Sequence, residues 1–332
     1  HIRQIEILNL KFEAERAQRV HLEEKIIEMK KKVENSISVE DLEHPRNEIK
    51  ISMISHKDNV TALSFSPNGR MIATGSLDKT ARITDLSTGS TIWTIYHEDV
   101  VLCVSFSPDG LMLATGSGDN TAKITNIETG ETIMKILHKD WVWSVGFSPD
   151  SQMLATGSKD NFAFVTDISS GSTVMKIMHS DWVWSVRYSP NGRTIATGSG
   201  DGTAKITDIL SGENILTVHH EDSVCSVIYS PDGQLLATGS ADNTAKVVAL
   251  ISGEVIKTIE HDDCIFSVSF SPDGRMLATG SSDGTAKIIK IKTGEIIKIV
   301  KHTGWVLSVR FSADGRMLAT GSQDRTAKIS EI

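Results

Sequence analysis

Cysteine is scarce in this chain of 332 residues. Cys103, Cys225 and Cys264 are an odd number, and none stands in a close CxxC pair. That argues against a disulfide framework or a cysteine-built zinc site and fits a reducing compartment. A cytoplasmic location is expected, the nucleus being the other such compartment. No apolar run approaches the ~18 residues of a membrane span and there is no signal peptide, so no membrane contact is expected. Positive charge is not in excess either. The net charge is −8, from 34 Lys and Arg against 42 Asp and Glu, and residues 1–50 hold 10 against 11 of these. Without a basic stripe, a nucleic-acid partner is not expected. The chain opens on His1 and not on Met, as a piece of a longer protein would.

Residues 1–34 lack glycine and proline altogether and are built from charged helix formers. Alternate steps of three and four from Ile5 meet Leu8, Phe12, Glu15, Arg19, Leu22, Ile26, Met29 and Val33. Apolar residues at most of these positions predict the seam of a coiled coil, open to self-association or to a helical partner through 5–33. Glu15 and Arg19 interrupt it, as a polar layer or as the place where the helix leaves its partner. An amphipathic helix packed on its own domain is the other reading. Residues 35–48 read as a linker, with Asn35-Ser36 ending the helix and Pro45 blocking its resumption.

From residue 49 onward the chain repeats. A histidine recurs at 56, 97, 138, 179, 220, 261 and 302, a step of 41 each time. Thr-Gly-Ser follows in phase from Thr74, Thr115, Thr156, Thr197, Thr238, Thr279 and Thr320, and an aspartate at Asp78, Asp119, Asp160, Asp201, Asp242, Asp283 and Asp324. In each unit an alternating run such as Val101 to Phe106 predicts a first strand, and Ser107-Pro108-Asp109-Gly110 a turn. Met112 to Gly116 predicts a second strand, Thr121 to Ile127 a third, and the Glu128–Glu131 turn leads into a fourth. Self-similarity at this period with four short strands per unit predicts an all-β, seven-bladed propeller over residues 49–332. The chain stops in the third strand of the seventh unit, while residues 49–55 align with the segment before each histidine. Those residues are therefore expected to close the ring as its missing fourth strand, hiding open sheet edges.

These residues resemble the WD-repeat family, whose units run from a Gly-His pair to a Trp-Asp pair. The glycine is absent here, as in Ser55-His56 and Tyr96-His97, and Trp-Asp becomes Thr84-Asp85, Thr125-Asn126, Thr166-Asp167 and Thr207-Asp208. Later units carry Val248-Ala249, Ile289-Lys290 and Ser330-Glu331. The resemblance implies a buried hydrogen-bond network within each blade, from which His56, His97, His138, His179, His220, His261 and His302 remain with the threonines and aspartates above. We expect the network to be shortened, and completed by the threonine that replaces tryptophan. His, Thr and Asp together also resemble a nucleophilic triad, but seven equivalent copies describe a lattice device. No catalytic residue, metal or cofactor is expected. The Gly-rich stretch Thr115-Gly116-Ser117-Gly118-Asp119 lacks the Gly-Lys-Ser/Thr of a phosphate loop.

The copies disagree most three and five residues after each histidine. The third position is Asn59, Val100, Trp141, Trp182, Ser223, Cys264 and Trp305, and the fifth Thr61, Leu102, Trp143, Trp184, Cys225, Phe266 and Leu307. The resemblance places these at the top face, the family's usual partner-binding surface. Trp141, Trp143, Trp182, Trp184, Phe266 and Trp305 are therefore the candidate partner-binding residues. Packing between blades is the plainer role for the same rings. Asp58, Asp99, Asp140, Asp181, Asp222 and Asp263 would either rim this patch with acid or cap the strand entry. A phosphopeptide reader would need an arginine cluster at this mouth, and the inner strands hold only Arg187 and Arg310. The expected function is a non-enzymatic scaffold that binds a protein or peptide on the top face, its helix serving oligomerisation or a second partner. Helix, linker and seven blades in this order resemble the β subunits of G proteins, although these repeats are far more uniform. A passive module of a larger protein, or a propeller hydrolase, are the alternatives.

Overall fold

A computed structural model describes residues 55–332 other than 313 and 325, and every regular element among them is a β-strand. The helix expected over 1–34, the linker over 35–48 and the closing strand from residue 49 lie outside the described residues. The strands form seven antiparallel sheets, each meandering in chain order, the pattern of a seven-bladed propeller. The first blade comprises β1 (Val60–Phe65), β2 (Met71–Ser76), β3 (Thr80–Asp85) and β4 (Thr91–Tyr96). The next five repeat it, and among the described residues the seventh holds three strands, Val306–Phe311, Met317–Ser322 and Ala327–Glu331.

Local chemistry accounts for the meander. At the first turn of the second blade the Ser107 hydroxyl donates to Asp109 Oδ1 at 2.5 Å, and that carboxylate accepts from the Leu111 amide at 2.9 Å. Gly110 then takes φ 73°, a backbone conformation that side chains with a Cβ adopt at a cost. At the second turn Asp119 Oδ1 gathers the amide of Thr121 at 3.0 Å and its hydroxyl at 2.6 Å.

The core lies between the blades. In the first six blades the second strand is covered on both faces, so in the second blade Leu113, Ala114, Thr115, Gly116 and Ser117 are all buried. The glycine of each Thr-Gly-Ser is where the next blade comes closest. A Cβ on Gly157 would stand 2.9 Å from Val183 Cγ1, and one on Gly280 2.9 Å from Val306 Cγ1. Val101, Val142, Val183, Val224, Ile265 and Val306 fill these joints with no exposed surface, each burial being worth roughly 1.5–3 kcal/mol. Among the described residues the seventh blade and the first lack this joint. A Cβ on Gly321 would meet nothing within 4 Å, and Val60, Leu63 and Phe65 are 48, 55 and 58% exposed.

Candidate functional site

Two features of the repeat bring chemically distinctive side chains together. The first is the buried histidine and its partners. In all seven blades histidine Nδ1 lies 2.8–3.0 Å from the aspartate Oδ2. On the other side of the ring, Nε2 lies 2.7–2.8 Å from the hydroxyl of the Thr-Gly-Ser threonine. An ionised carboxylate only accepts, so Nδ1 carries the proton and Nε2 accepts from threonine.

The carboxylate is crowded with donors. Asp119 Oδ2 also takes the Glu98 amide at 3.0 Å, while Oδ1 takes the amide and hydroxyl of Thr121. Burial alone would raise this group, but these hydrogen bonds and His97 outweigh it and hold Asp119 at about 2. Burial holds His97 below its usual value, and Asp119 offsets that only in part.

The threonine that replaces tryptophan does not complete the network, contrary to expectation. The hydroxyls of Thr84, Thr125 and Thr166 are buried without a partner. A different threonine, two residues after the aspartate, completes it: Thr80 Oγ1 donates to Asp78 Oδ1 at 2.6 Å, as do its copies in five other blades. The tryptophan site lies where the third strand packs into the joint, beyond the reach of a short hydroxyl. The third blade departs again, with Phe162 at the completing position and Phe164 stacked on His138 at 4.2 Å and 15°. Phe164 thus packs within the blade.

The second feature is the aromatic cluster. Every inner strand shifts register between the fourth and sixth residues after its histidine, so the fifth is the extra residue of a β-bulge. A bulge takes its side chain out of strand alternation. At Trp143 and Trp184 it aims two indoles at one another across a joint, 4.8 Å between centroids and 45° between planes. Trp141 stands 5.5 Å from Trp143, and Trp182 5.3 Å from Trp184, so the four rings form one chain over two blades. Lys159, on the turn between them, sits 4.7 Å from the Trp182 ring and 5.3 Å from that of Trp141, and pairs with Asp140 at 3.8 Å. Trp141, Trp143, Trp182 and Trp184 are all half-buried, and the Nε1 donors of Trp143 and Trp184 are enclosed without an acceptor. Phe266 and Trp305 form a separate pair at 5.7 Å. Trp93 stands elsewhere, its Nε1 donating to Ile127 O at 2.8 Å across a joint.

The aspartates two residues after histidine accept from the next amide, as Asp140 does from Trp141 at 2.8 Å and Asp181 from Trp182 at 2.7 Å. They shape the strand entry beside the indoles and leave a carboxylate oxygen at the surface. Burial pushes the thiols of Cys103 and Cys225 up to about 12, away from nucleophilic use. Among the described residues no group of three or more His, Cys, Asp and Glu is placed to hold a metal ion.

Comparison with known families agrees with this geometry. The WD domain, G-beta repeat, matches residues 47–85, and the IFT122 first beta-propeller matches residues 80–331. No curated protein matches the chain. Propellers of the WD-repeat kind are generally protein-interaction modules and typically not enzymes. With most of its length matched, this chain belongs to the family of the IFT122 first beta-propeller, a WD-repeat propeller.

Proposed function

We propose that this propeller is a non-enzymatic scaffold that grips a protein or peptide on the face where the inner strands begin. The observation that carries this is the four-indole chain Trp141–Trp143–Trp184–Trp182 with Lys159 set between its outer rings. Equivalent places in other blades hold Asn59, Thr61 and Ser223, so the joint itself does not require aromatic rings there. Large rings beside half-exposed surface supply the area and rigidity of an interface hot spot. The carboxylates at Asp99, Asp140, Asp181 and Asp222 favour a partner segment with cationic residues flanking an apolar anchor. The segment 5–33 would add self-association or a second helical partner.

Affinity capture tests this, comparing the parent chain with a Trp141→Ala/Trp182→Ala variant of matched circular dichroism and melting temperature. Named proteins retained by the parent and lost by the variant support the reading. Retention of the same proteins by the variant would move recognition away from these indoles.

A further inference from the structure

The seven inner strands adjoin one another in order around the axis, from Val60–Phe65 and Val101–Phe106 through to Val306–Phe311. Together they contain no aspartate or glutamate and two charged side chains, Arg187 and Arg310. Both occupy one register position, opposite Ala196 and Ala319 of the second strand. The other blades place Ser64, Ser105, Gly146, Ile228 and Ser269 there, so folding does not require a cation at this level.

Arg187 Nη1 donates to Val186 O at 2.7 Å, the same carbonyl that a Cβ on Gly146 would meet at 3.5 Å. The guanidinium therefore lies where the third and fourth inner strands adjoin. Its charge acts on the Cys103 thiol, two blades back, and on Arg310, three blades on. Inner strands three blades apart in a ring of seven stand across its axis, so Arg187 and Arg310, at one register position, share a level on opposite sides of it. Among the described residues the arginine ion pairs are Arg82–Asp78 and Arg275–Asp273, both elsewhere, and Arg310 makes no side-chain hydrogen bond. Arg310 is exposed and Arg187 half-buried, so both guanidinium groups are open to solvent. Among the described residues the inner strands thus supply these two guanidinium groups with no counter-charge, in a chain of net charge −8.

We propose that the axial space at the level of Arg187 and Arg310 is a binding site for a small phosphate-bearing anion. Planar guanidinium forks engage phosphate oxygens in pairs, and a tetrahedral group has oxygens for a fork on each side of the axis. A single carboxylate would satisfy one fork and leave the other unpaired. The hydroxyls of Ser64, Ser105 and Ser269 at the same level are engaged with the backbone of Phe106 and Phe270, and no acidic side chain on these strands competes. The site lies three residues further along the inner strand than Trp143 and Trp184, about 10 Å at the strand rise, so it is distinct from the indole cluster.

Isothermal titration of the full chain with inorganic pyrophosphate, at ionic strength fixed with chloride, tests the proposal. One pyrophosphate per chain is expected, with affinity falling at least tenfold in Arg187→Gln and in Arg310→Gln. Without anion, each variant is expected to melt no lower than the parent, since a like-charge repulsion is gone. Ser269→Asp keeps both arginines, supplies an internal counter-charge, and is expected to abolish the binding. No binding to the parent, binding unchanged in all three variants, or acetate binding as tightly as pyrophosphate would each overturn the proposal.

Discussion

In the second blade His97 Nδ1 lies 2.8 Å from Asp119 Oδ2, the imidazole wholly enclosed and the carboxylate 7% exposed. The pair makes stability depend on pH in one direction. Burial keeps His97, His179, His220 and His261 from taking a proton that they accept near pH 6.5 when unfolded. The unfolded state then binds more protons, so this stability is present above about pH 6.5 and is lost as pH falls. Asp119 and Asp242, held at about 2, act in the same direction, their contribution being lost from about pH 4 downward. Urea midpoints are expected to fall between pH 7.5 and 5.5, and again below pH 4. A midpoint that rises on acidification to pH 5.5 would contradict the assignment of neutral buried imidazoles.

The unpartnered hydroxyl of Thr125 has an internal control. Val248 and Ile289 occupy the equivalent place in the fifth and sixth blades and are as deeply buried as Thr125 and Thr166. Replacing Thr125 with valine removes a desolvated polar group without changing the shape. It is expected to stabilise the protein by about 1 kcal/mol in equilibrium unfolding. A loss of stability would show that the hydroxyl has a partner.

Phe65 and Phe106 hold the same place in successive blades, one 58% exposed and the other 7%. Phe106→Ala is expected to cost about 3–5 kcal/mol, as for other enclosed aromatic residues. Phe65→Ala is expected to cost under about 1 kcal/mol. Equal losses in paired denaturation curves would mean that Phe65 is enclosed in solution.

Lys79 sits at φ 68° immediately after the first network aspartate, where Asn120, Asn161 and Asn243 and the glycines Gly202 and Gly284 stand in other blades. An unbranched charged side chain gains nothing from that conformation, which favours glycine and asparagine. Lys79→Gly is expected to raise the melting temperature, corresponding to about 1 kcal/mol. It also removes the bond from Lys79 Nζ to Glu98 O, at 2.9 Å and exposed, a contact of small net value. A lower melting temperature would show that the bond outweighs the backbone strain.

Much of the fold is legible in the sequence because its signals are local. The first strand of the second blade occupies the predicted Val101–Phe106, and its second and third strands end within one residue of the prediction. Ser107, Asp109 and Gly110 act at the turn through bonds two to five residues long. Reasoning by position also names the histidine, the Thr-Gly-Ser threonine and the aspartate of each blade's network, because period alone aligns them. It chose the wrong threonine to complete it, since Thr80 and Thr84 differ in reach and not in composition. The bulge under Trp143 is marked only by Val142 and Val145, both buried yet three residues apart, a spacing that strict alternation does not give.

Seven units, their strands, their turns and the in-phase histidines follow from the sequence alone, because each rests on contacts within a few residues or on a fixed period. Tertiary structure alone decided what lies beside what across a joint or across the axis. Trp143 meets Trp184 from 41 residues away, and Phe164 covers His138 from 26. These contacts depend on sheet twist, bulge direction and blade packing. Those are set by the summed fit of whole sheets and not by any stretch of chain.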